Sequence, residues 1–214
     1  MQRAYGLEIP QTLEEVCDRR RMALLVYDMQ VGIVRHIPDT EAFTARVVRV
    51  VEAARATGMR VVFARHLSLP NELAGVFQLR TAMAWQRLDR VEDVRSHFLR
   101  DSPGFQLIPE MQPLPSEAVF DKLAMSMFVG TPLELVLRDC GINSFAIVGA
   151  VTEIGIEPTV RHGADLGFIP VVVADACGSV DPAAGKRSLA SLDYALMSLQ
   201  TDVETFTGLL GRSR

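Results

Sequence analysis

Short apolar runs that alternate with helical patterns are the feature that most constrains the fold of this chain. The runs are continuously apolar, rich in β-branched residues, and too short to be helices of ordinary length. Continuous apolar strands separated by helices predict a parallel sheet that is covered on both faces. Right-handed crossovers then give a doubly wound, Rossmann-like α/β sheet of about six strands. The runs stand at 22–28, 59–65, 117–122, 144–150 and 168–175.

Three stretches between these runs and one after the last run have the period of amphipathic helices. Their ends carry residues that suit helix termini, such as Pro132 in a first turn and Gly58 after a last turn. These helices are the crossovers that a parallel sheet needs. The predicted helices span 39–57, roughly 131–139, from just after Gly155 to near Gly167, and about 184–198.

The whole chain, residues 1–214, is predicted to form a single domain, with residues 1–20 as an N-terminal extension. The stretch 67–116 breaks the rhythm, with five prolines and the only tryptophan, Trp85. It is too long for a simple loop, so we expect it to carry a helix of its own. An insertion after a strand end lies over the ligand crevice in such folds, which would place it near the active site; a peripheral or oligomer-facing position fits equally well.

Charge and hydropathy exclude two classes of partner. The formal net charge is −4, and basic residues are scattered among acidic ones, which argues against a nucleic-acid surface. No apolar run approaches the roughly 20 residues of a membrane span, and the first 21 residues lack the apolar segment of a signal peptide. We therefore expect a cytoplasmic protein with no nucleic-acid and no membrane partner.

The cysteines suit a reducing compartment. Cys17, Cys140 and Cys177 are odd in number and show no C-x-x-C spacing. They predict neither a disulfide framework nor a structural zinc site.

Two charged residues end strand-like runs. Asp28 follows ALLVY and Lys122 ends AVFDK, so both are expected at the carboxyl edge of the sheet, where open α/β sheets bind ligands. There the ammonium can reach Asp28 and favour its ionised form. Each residue also has a structural interpretation: an Asp at a strand end often caps a turn, and a Lys there is often a solvated charge.

The segment GAVTEIGIEPT connects a strand to a helix. Thr152 can cap this helix, and the backbone N–H groups of Ile154, Gly155 and Ile156 are predicted to be unpaired. Such donors form a site for an oxyanion or a carboxylate. Glu153 can hold a water there or, more simply, complement the helix dipole from solvent.

Three segments together resemble the isochorismatase-like hydrolase superfamily: ALLVYDMQ at 23–30, DKLAMSMFVGTPLE at 121–134 and VGAVTEIGIEPTVRHGADLGF at 148–168. The resemblance covers most of residues 20–205. Members that cut amides or carbamoyl groups carry an Asp–Lys–Cys triad, and the matching positions here are Asp28, Lys122 and Gly155. The position of the nucleophile therefore has no side chain. The resemblance also implies a cis peptide bond at Val151–Thr152.

True isochorismatases of this superfamily have Gly at the same position and hydrolyse a vinyl ether without a covalent intermediate. The resemblance then implies that Asp28 transfers a proton, that Lys122 is its electrostatic partner, and that the backbone at Gly155 binds an anion. The substrate would be a small carboxylate-bearing molecule. An acid role requires a raised pKa, whereas Lys122 lowers the pKa of Asp28, so burial of Asp28 has to outweigh the lysine.

The match to the true isochorismatases is incomplete. They carry Tyr-Ala-His before the glycine, whereas Val151-Thr152-Glu153 is similar to the Thr-Asp/Glu-x-Cys of the amide-cleaving branch. Two alternatives therefore stay open. One is a catalytically inert, metabolite-binding protein that has lost its nucleophile, and the other is an amidase that uses water or Cys177.

Neither a metal nor a cofactor is predicted. Nicotinamidases of the superfamily bind a metal through an Asp-x-His pair and a further His, whereas the corresponding ARHLSLPNELAG contains only His66. Arg65 could instead clamp a substrate carboxylate and His66 could contact substrate, although structural roles are equally compatible. The family also implies a homodimer or homotetramer. The predicted substrate-binding residues are Gln30, Arg65, His66, Phe128, Thr152, Glu153, Ile154 and Ile156.

Overall fold

Strands and helices alternate along the chain as the apolar runs predicted. In the computed structural model, which describes residues 1–212, β1 and β2 form an antiparallel hairpin that precedes the main sheet. The elements in chain order are β1 (Gln2–Ala4), β2 (Leu7–Ile9), α1 (Leu13–Val16), β3 (Met22–Tyr27), α2 (Val31–Val34), α3 (Thr40–Ala56), β4 (Arg60–His66), α4 (Val76–Gln86), β5 (Ala118–Lys122), α5 (Leu133–Asp139), β6 (Ser144–Ala150), α6 (Glu157–Asp165), β7 (Ile169–Gly178), α7 (Pro182–Tyr194), β8 (Leu199–Thr201) and α8 (Val203–Arg212).

The main sheet has six strands in the order β5-β4-β3-β6-β7-β8, and every neighbouring pair is parallel. This confirms the predicted doubly wound α/β fold. The central strands β3 and β6 are buried at every residue, which explains why their sequences are continuously apolar. The sixth strand, β8, is only three residues long and was not predicted individually.

Helices pack on both faces of the sheet, and successive residues of β3 face opposite ways. Leu24 and Val26 belong to the hydrophobic cluster that includes residues of α3 and α8. Leu25 and Tyr27 belong to the second cluster, with residues of α5, α6 and α7. The side chain of Tyr27 therefore points into the layer that contains the helix after β6.

Two helices begin earlier than the sequence predicted. Asp181 accepts the N–H groups of Ala183 and Ala184 at 2.8 and 3.3 Å, and this cap starts α7 at Pro182. The other helix is preceded by a π-helical turn, Thr152–Ile156, so helical structure begins before Gly155 rather than after it.

The stretch 67–116 carries α4, as predicted, and its last part lies beside the carboxyl edge of the sheet. Gln30 pairs with Leu107 in an isolated antiparallel bridge, and the ring of Phe98 lies 5.4 Å from that of His66. The first residue of the stretch also adjoins the site, because the N–H of Leu67 donates to the carbonyl of Lys122 at 2.8 Å. None of the residues of α4 is buried. Among residues 1–212, no helix combines the length and the hydrophobicity that a membrane crossing requires.

Candidate active site

The structure brings the two predicted strand-end charges together. Lys122 Nζ donates a hydrogen bond of 2.8 Å to Asp28 Oδ2. Lys122 is the last residue of β5, and Asp28 directly follows β3. Because β4 lies between these two strands, the lysine side chain reaches across a whole strand. Asp28 is 4% exposed and Lys122 is 2% exposed. The result is a buried ion pair at the edge of the sheet where ligands bind.

Burial has the largest effect on the pKa values of Asp28 and Lys122. Burial raises the pKa of Asp28 above the ordinary value of 3.8, although the charge and hydrogen bond of Lys122 oppose that rise. Burial also lowers the pKa of Lys122, against the pull of Asp28. Asp28 Oδ1 is buried and has no hydrogen-bond partner among residues 1–212. One oxygen of the carboxyl is thus held by the lysine, and the other has a free hydrogen-bonding position.

Tyr27 fills the place where a nucleophile on residue 155 would stand. A Cβ added to Gly155 would lie 2.5 Å from Cε1 of Tyr27, and closer still to Cζ and Oη. The phenol donates a hydrogen bond to the carbonyl of Met125. Lys122 Nζ lies 4.2 Å from the centre of the ring, which is the geometry of a cation–π contact. Our sequence reasoning missed Tyr27, for which the only signal was an aromatic residue at the end of an aliphatic run.

The prediction of unpaired amides at Gly155 and Ile156 is wrong. Both N–H groups donate to the carbonyl of Val151, at 2.9 and 3.1 Å. The π-helical turn causes this, because its wider winding brings two successive amides to one acceptor. Neither amide is free to bind an oxyanion in this conformation. The cis peptide bond joins Ala150 to Val151, one residue before the predicted Val151–Thr152 bond.

Thr152 and Glu153 tie this turn to the end of β7. Thr152 is fully buried, and its hydroxyl donates to the carbonyl of Gly178 at 2.9 Å rather than capping the helix. Glu153 Oε1 accepts the N–H groups of Val180 and Asp181, each at 3.0 Å. Thr152 Oγ1 and Glu153 Oε1 thus bond backbone groups, whereas Glu153 Oε2 is buried and has no hydrogen-bond partner among residues 1–212. The predicted contacts of both residues with substrate stay predictions.

Ile154 and Ile156 are packing residues on opposite sides of the turn. Ile156 is fully buried in the same cluster as Tyr27, whereas Ile154 packs against the cluster that contains residues of α3 and α8. Both residues thus make hydrophobic contacts with the core, and their predicted role in substrate binding stays a prediction.

Gln30 holds two backbone segments together, and its predicted role in substrate binding stays a prediction. Its Nε2 donates to the carbonyls of His66 and Phe105 at 3.0 and 2.8 Å, and its Oε1 accepts the N–H of His66 at 2.6 Å. The side chain is fully buried. Both the Nε2 and the Oε1 of Gln30 are bonded to backbone groups, so this side chain fixes the segments of His66 and Phe105 beside the site.

Arg65 forms a salt bridge with a carboxylate of the protein itself. It contacts Asp121 Oδ1 at 2.8 Å and lies 4.3 Å from the centre of the Phe105 ring. Arg100 pairs with the other oxygen of Asp121 at 2.8 Å. The predicted clamp for a substrate carboxylate is therefore not formed in this conformation.

His66 ends β4 next to the ion pair. Burial and the charge of Lys122 lower the pKa of His66 to about 4, so its ring is neutral near neutral pH. A neutral imidazole at this position can accept or donate a hydrogen bond without bringing a second positive charge to the site.

Residues 123–130, which we call the β5 loop, cover the site from the side of α6. Ser126 Oγ lies 3.0 Å from Nδ1 of His162, and Thr159 Oγ1 accepts the N–H of Met127 at 3.1 Å. Phe128 stacks on Phe168 with ring centres 5.7 Å apart. This aromatic packing anchors the loop, and the contact of Phe128 with substrate stays a prediction.

Cys177, the alternative nucleophile, is poorly suited to that role. Burial and the nearby Asp175 raise the pKa of its thiol, which disfavours the reactive thiolate. Its Sγ lies 3.6 Å from the carbonyl of Ile147. Within residues 1–212, no three or more His, Cys, Asp or Glu side chains are grouped so that they could hold a metal ion.

A buried Asp–Lys pair at the carboxyl edge of a doubly wound parallel sheet is the arrangement that the resemblance to isochorismatase-like hydrolases predicted. The Isochorismatase domain model matches residues 22–204. The chain belongs to the isochorismatase domain family of hydrolases.

Solved structures share this fold at low sequence identity. A cysteine hydrolase from Pseudomonas syringae pv. phaseolicola is 21% identical with a TM-score of 0.79, over 93% of this chain and 96% of that one. An isochorismatase family protein from Desulfovibrio vulgaris is 20% identical with a TM-score of 0.75, over 90% and 100%. An N-carbamoylsarcosine amidase from Thermoplasma acidophilum is 22% identical with a TM-score of 0.69, over 86% and 97%.

Proposed function

We propose that this protein hydrolyses a small carboxylate-bearing vinyl ether of the isochorismate type without a covalent intermediate, and that Asp28 is the proton donor. The observation that carries the proposal is the buried Asp28 carboxyl, with Oδ2 held by Lys122 and Oδ1 without a partner in the described chain. Burial raises the pKa of Asp28, as a general acid requires.

The absence of a nucleophile suits this chemistry. Gly155 has no side chain, and Tyr27 occupies the adjoining space. A vinyl ether needs no covalent step, because protonation of its methylene carbon already creates an electrophile. The remaining reactant is water. The site therefore has to deliver a proton to the substrate and to exclude other nucleophiles that would react in place of that water.

The reaction balances with one water. Asp28 gives its proton to the methylene carbon of the enolpyruvyl group, which leaves an oxocarbenium ion and an ionised Asp28. Water adds to the oxocarbenium carbon while Asp28 takes back a proton, and the hemiketal collapses to pyruvate and an alcohol. Lys122, at 2.8 Å, stabilises the Asp28 carboxylate between these two transfers.

Pyruvate release from isochorismate tests this proposal. The wild-type protein should release pyruvate, and Asp28→Asn should lower kcat by about 10²–10⁴-fold because its amide cannot supply a proton. The exposed Asp193 on α7 provides a matched control, and Asp193→Asn should leave kcat unchanged. Equal turnover by wild type and Asp28→Asn would contradict the role of Asp28.

A second candidate function is binding of a carboxylate-bearing metabolite without turnover. The close burial of Asp28 and Lys122 and the phenol in the nucleophile's place favour it. In that case isochorismate or a related carboxylate would raise the Tm of the protein while no pyruvate appears. Pyruvate release that depends on Asp28 would exclude this candidate.

We also propose that the protein forms a homodimer or homotetramer. Apolar side chains exposed on α4 support this: Val76 is 87%, Phe77 74% and Trp85 61% exposed. A partner that covers these side chains would remove their apolar surface from water. Sedimentation velocity tests the proposal, and a monomer at micromolar concentration would contradict it.

A further inference from the structure

We propose that the ring of Tyr27 excludes any side chain from residue 155, and that its removal would reopen a position in which an introduced nucleophile is activated. The proposal concerns the position beside Gly155 and holds whatever the natural substrate is.

The contact between Tyr27 and residue 155 leaves no room for adjustment. A Cβ at Gly155 would lie 2.5 Å from Cε1 of Tyr27 and closer to Cζ and Oη, whereas real Cβ atoms essentially never come within 3.0 Å. These atoms belong to a rigid ring, so no terminal rotation relieves the overlap. The carbonyl of Gly155 is also fixed, because it accepts the hydroxyl of Thr159 at 2.8 Å.

The ring is held from several directions. Tyr27 is 2% exposed and lies on the central strand β3. Its hydroxyl donates to the carbonyl of Met125 in the β5 loop, and Lys122 Nζ lies 4.2 Å from the ring centre. Moving the ring aside would cost both of these contacts and the packing against Ile156.

A nucleophile in the space of the phenol would meet groups that can activate it. Lys122 Nζ contacts the ring and also lies 2.8 Å from Asp28 Oδ2. A thiol that replaced the ring would therefore stand beside an ammonium group, with a carboxylate next to that group. A nearby cation favours the thiolate and lowers the thiol pKa.

A stability cycle tests the first half of the proposal. Gly155→Ala should lower Tm by about 5–10 °C in the wild-type background. Leucine lacks Cζ, Cε1 and Oη, so adding Gly155→Ala to Tyr27→Leu should change the Tm of that variant by less than about 2 °C. Tyr27→Val is a second background in case Tyr27→Leu folds poorly. Tyr27→Phe keeps the clashing carbons, and Gly155→Ala should remain costly there.

Gly208 supplies the matched control for an alanine in place of a helical glycine. It lies within α8, and a Cβ there would meet nothing within 4 Å among residues 1–212, so Gly208→Ala should not lower Tm. If Gly155→Ala cost as little as Gly208→Ala in the wild-type background, Tyr27 would not be the excluding residue. An equal loss from Gly155→Ala in the Tyr27→Leu and Tyr27→Val backgrounds would overturn the proposal in the same way.

Alkylation by iodoacetamide tests the second half. In Tyr27→Leu/Gly155→Cys, the introduced thiol should react with a pH midpoint below the roughly 8.5 of a free cysteine. Adding Lys122→Gln should raise that midpoint by about one pH unit, because the activating cation is lost. Peptide mass spectrometry distinguishes this thiol from Cys17, Cys140 and Cys177. Two results would overturn the claim that the reopened position activates a thiol. One is a thiol that fails to react, and the other is a pH midpoint that does not change when Lys122→Gln is added.

Discussion

Lys122 Nζ and Asp28 Oδ2 meet at 2.8 Å across the intervening strand β4. Parallel strands bring their carboxyl ends to one edge of the sheet. Residues 94 positions apart in the chain therefore form a buried ion pair. Each charge is expensive to bury alone and depends on the other. Stability, pH dependence and chemistry at this edge are therefore coupled through one ion pair.

Lys122→Met should destabilise the fold most at high pH. Removing one partner of a buried pair costs about 3–5 kcal/mol of unfolding free energy. Without the lysine, the pKa of Asp28 rises further, and the stability of a carboxyl with a raised pKa is lost as pH rises through that pKa. Urea unfolding should therefore show a larger loss at about pH 8 than at about pH 5.

The double variant Lys122→Met/Asp28→Asn checks the cause, since it removes the orphaned charge and should regain much of the loss at high pH. Arg49→Met breaks an exposed pair with Glu204 and should cost less than about 0.5 kcal/mol. A loss in Lys122→Met that does not vary with pH would show that the charge on Asp28 is not responsible.

Turnover by the proposed mechanism should fall as pH rises through the pKa of Asp28, because the proton donor is then lost. Above that pKa, kcat should fall about tenfold per pH unit. Lys122 holds the pKa of Asp28 down, so the falling limb should move to higher pH in Lys122→Met. A falling limb at the same pH in both proteins would mean that another group supplies the proton.

His66 should make the fold acid-sensitive. Its pKa is lowered from 6.5 to about 4, so between these values the unfolded chain binds the proton and the folded protein does not. Unfolding free energy should therefore decrease as pH falls from 6.5 to about 4, by on the order of 2 kcal/mol. His66→Gln should flatten this part of the pH–stability curve. Equal curves for the wild-type protein and His66→Gln would contradict the assignment.

Gln30→Ala should destabilise the protein rather than weaken substrate binding specifically. It removes three hydrogen bonds and leaves buried backbone groups of His66 and Phe105 unpaired, at a cost of about 2–4 kcal/mol. Gln11→Ala, at an exposed site, should stay within about 0.5 kcal/mol of wild type. Chemical denaturation measures both, and a stable Gln30→Ala with a raised KM would restore the predicted role in binding.

The sequence was a sufficient guide to the sheet and to its charged edge. Burial on both faces requires β3 and β6 to be apolar along their length, and such runs can be recognised as strands in the sequence alone. The edge positions of Asp28 and Lys122 were predictable because a charge that ends an apolar run lies at the edge of a parallel sheet. Their assignment to a site rested on the resemblance to the isochorismatase-like superfamily.

The roles of the surrounding polar residues were not predictable. Gln30 binds backbone groups 36 and 75 positions away, and Arg65 meets Asp121 on the neighbouring strand. A polar side chain near a site looks the same in the sequence whether it faces a ligand or satisfies the backbone. The choice depends on which unpaired groups the folded chain brings close.

The sequence by itself determined the doubly wound sheet, the isochorismatase family and the lack of a thiol at Gly155, because apolar patterning and local motifs are properties of neighbouring residues. Only the tertiary structure decided what stands in place of that thiol. Tyr27 and Gly155 are far apart in the chain, and their exclusion arises because β3 and the turn after β6 pack against each other. Close packing is a property of atoms in contact across the fold, and no pattern within either segment encodes it.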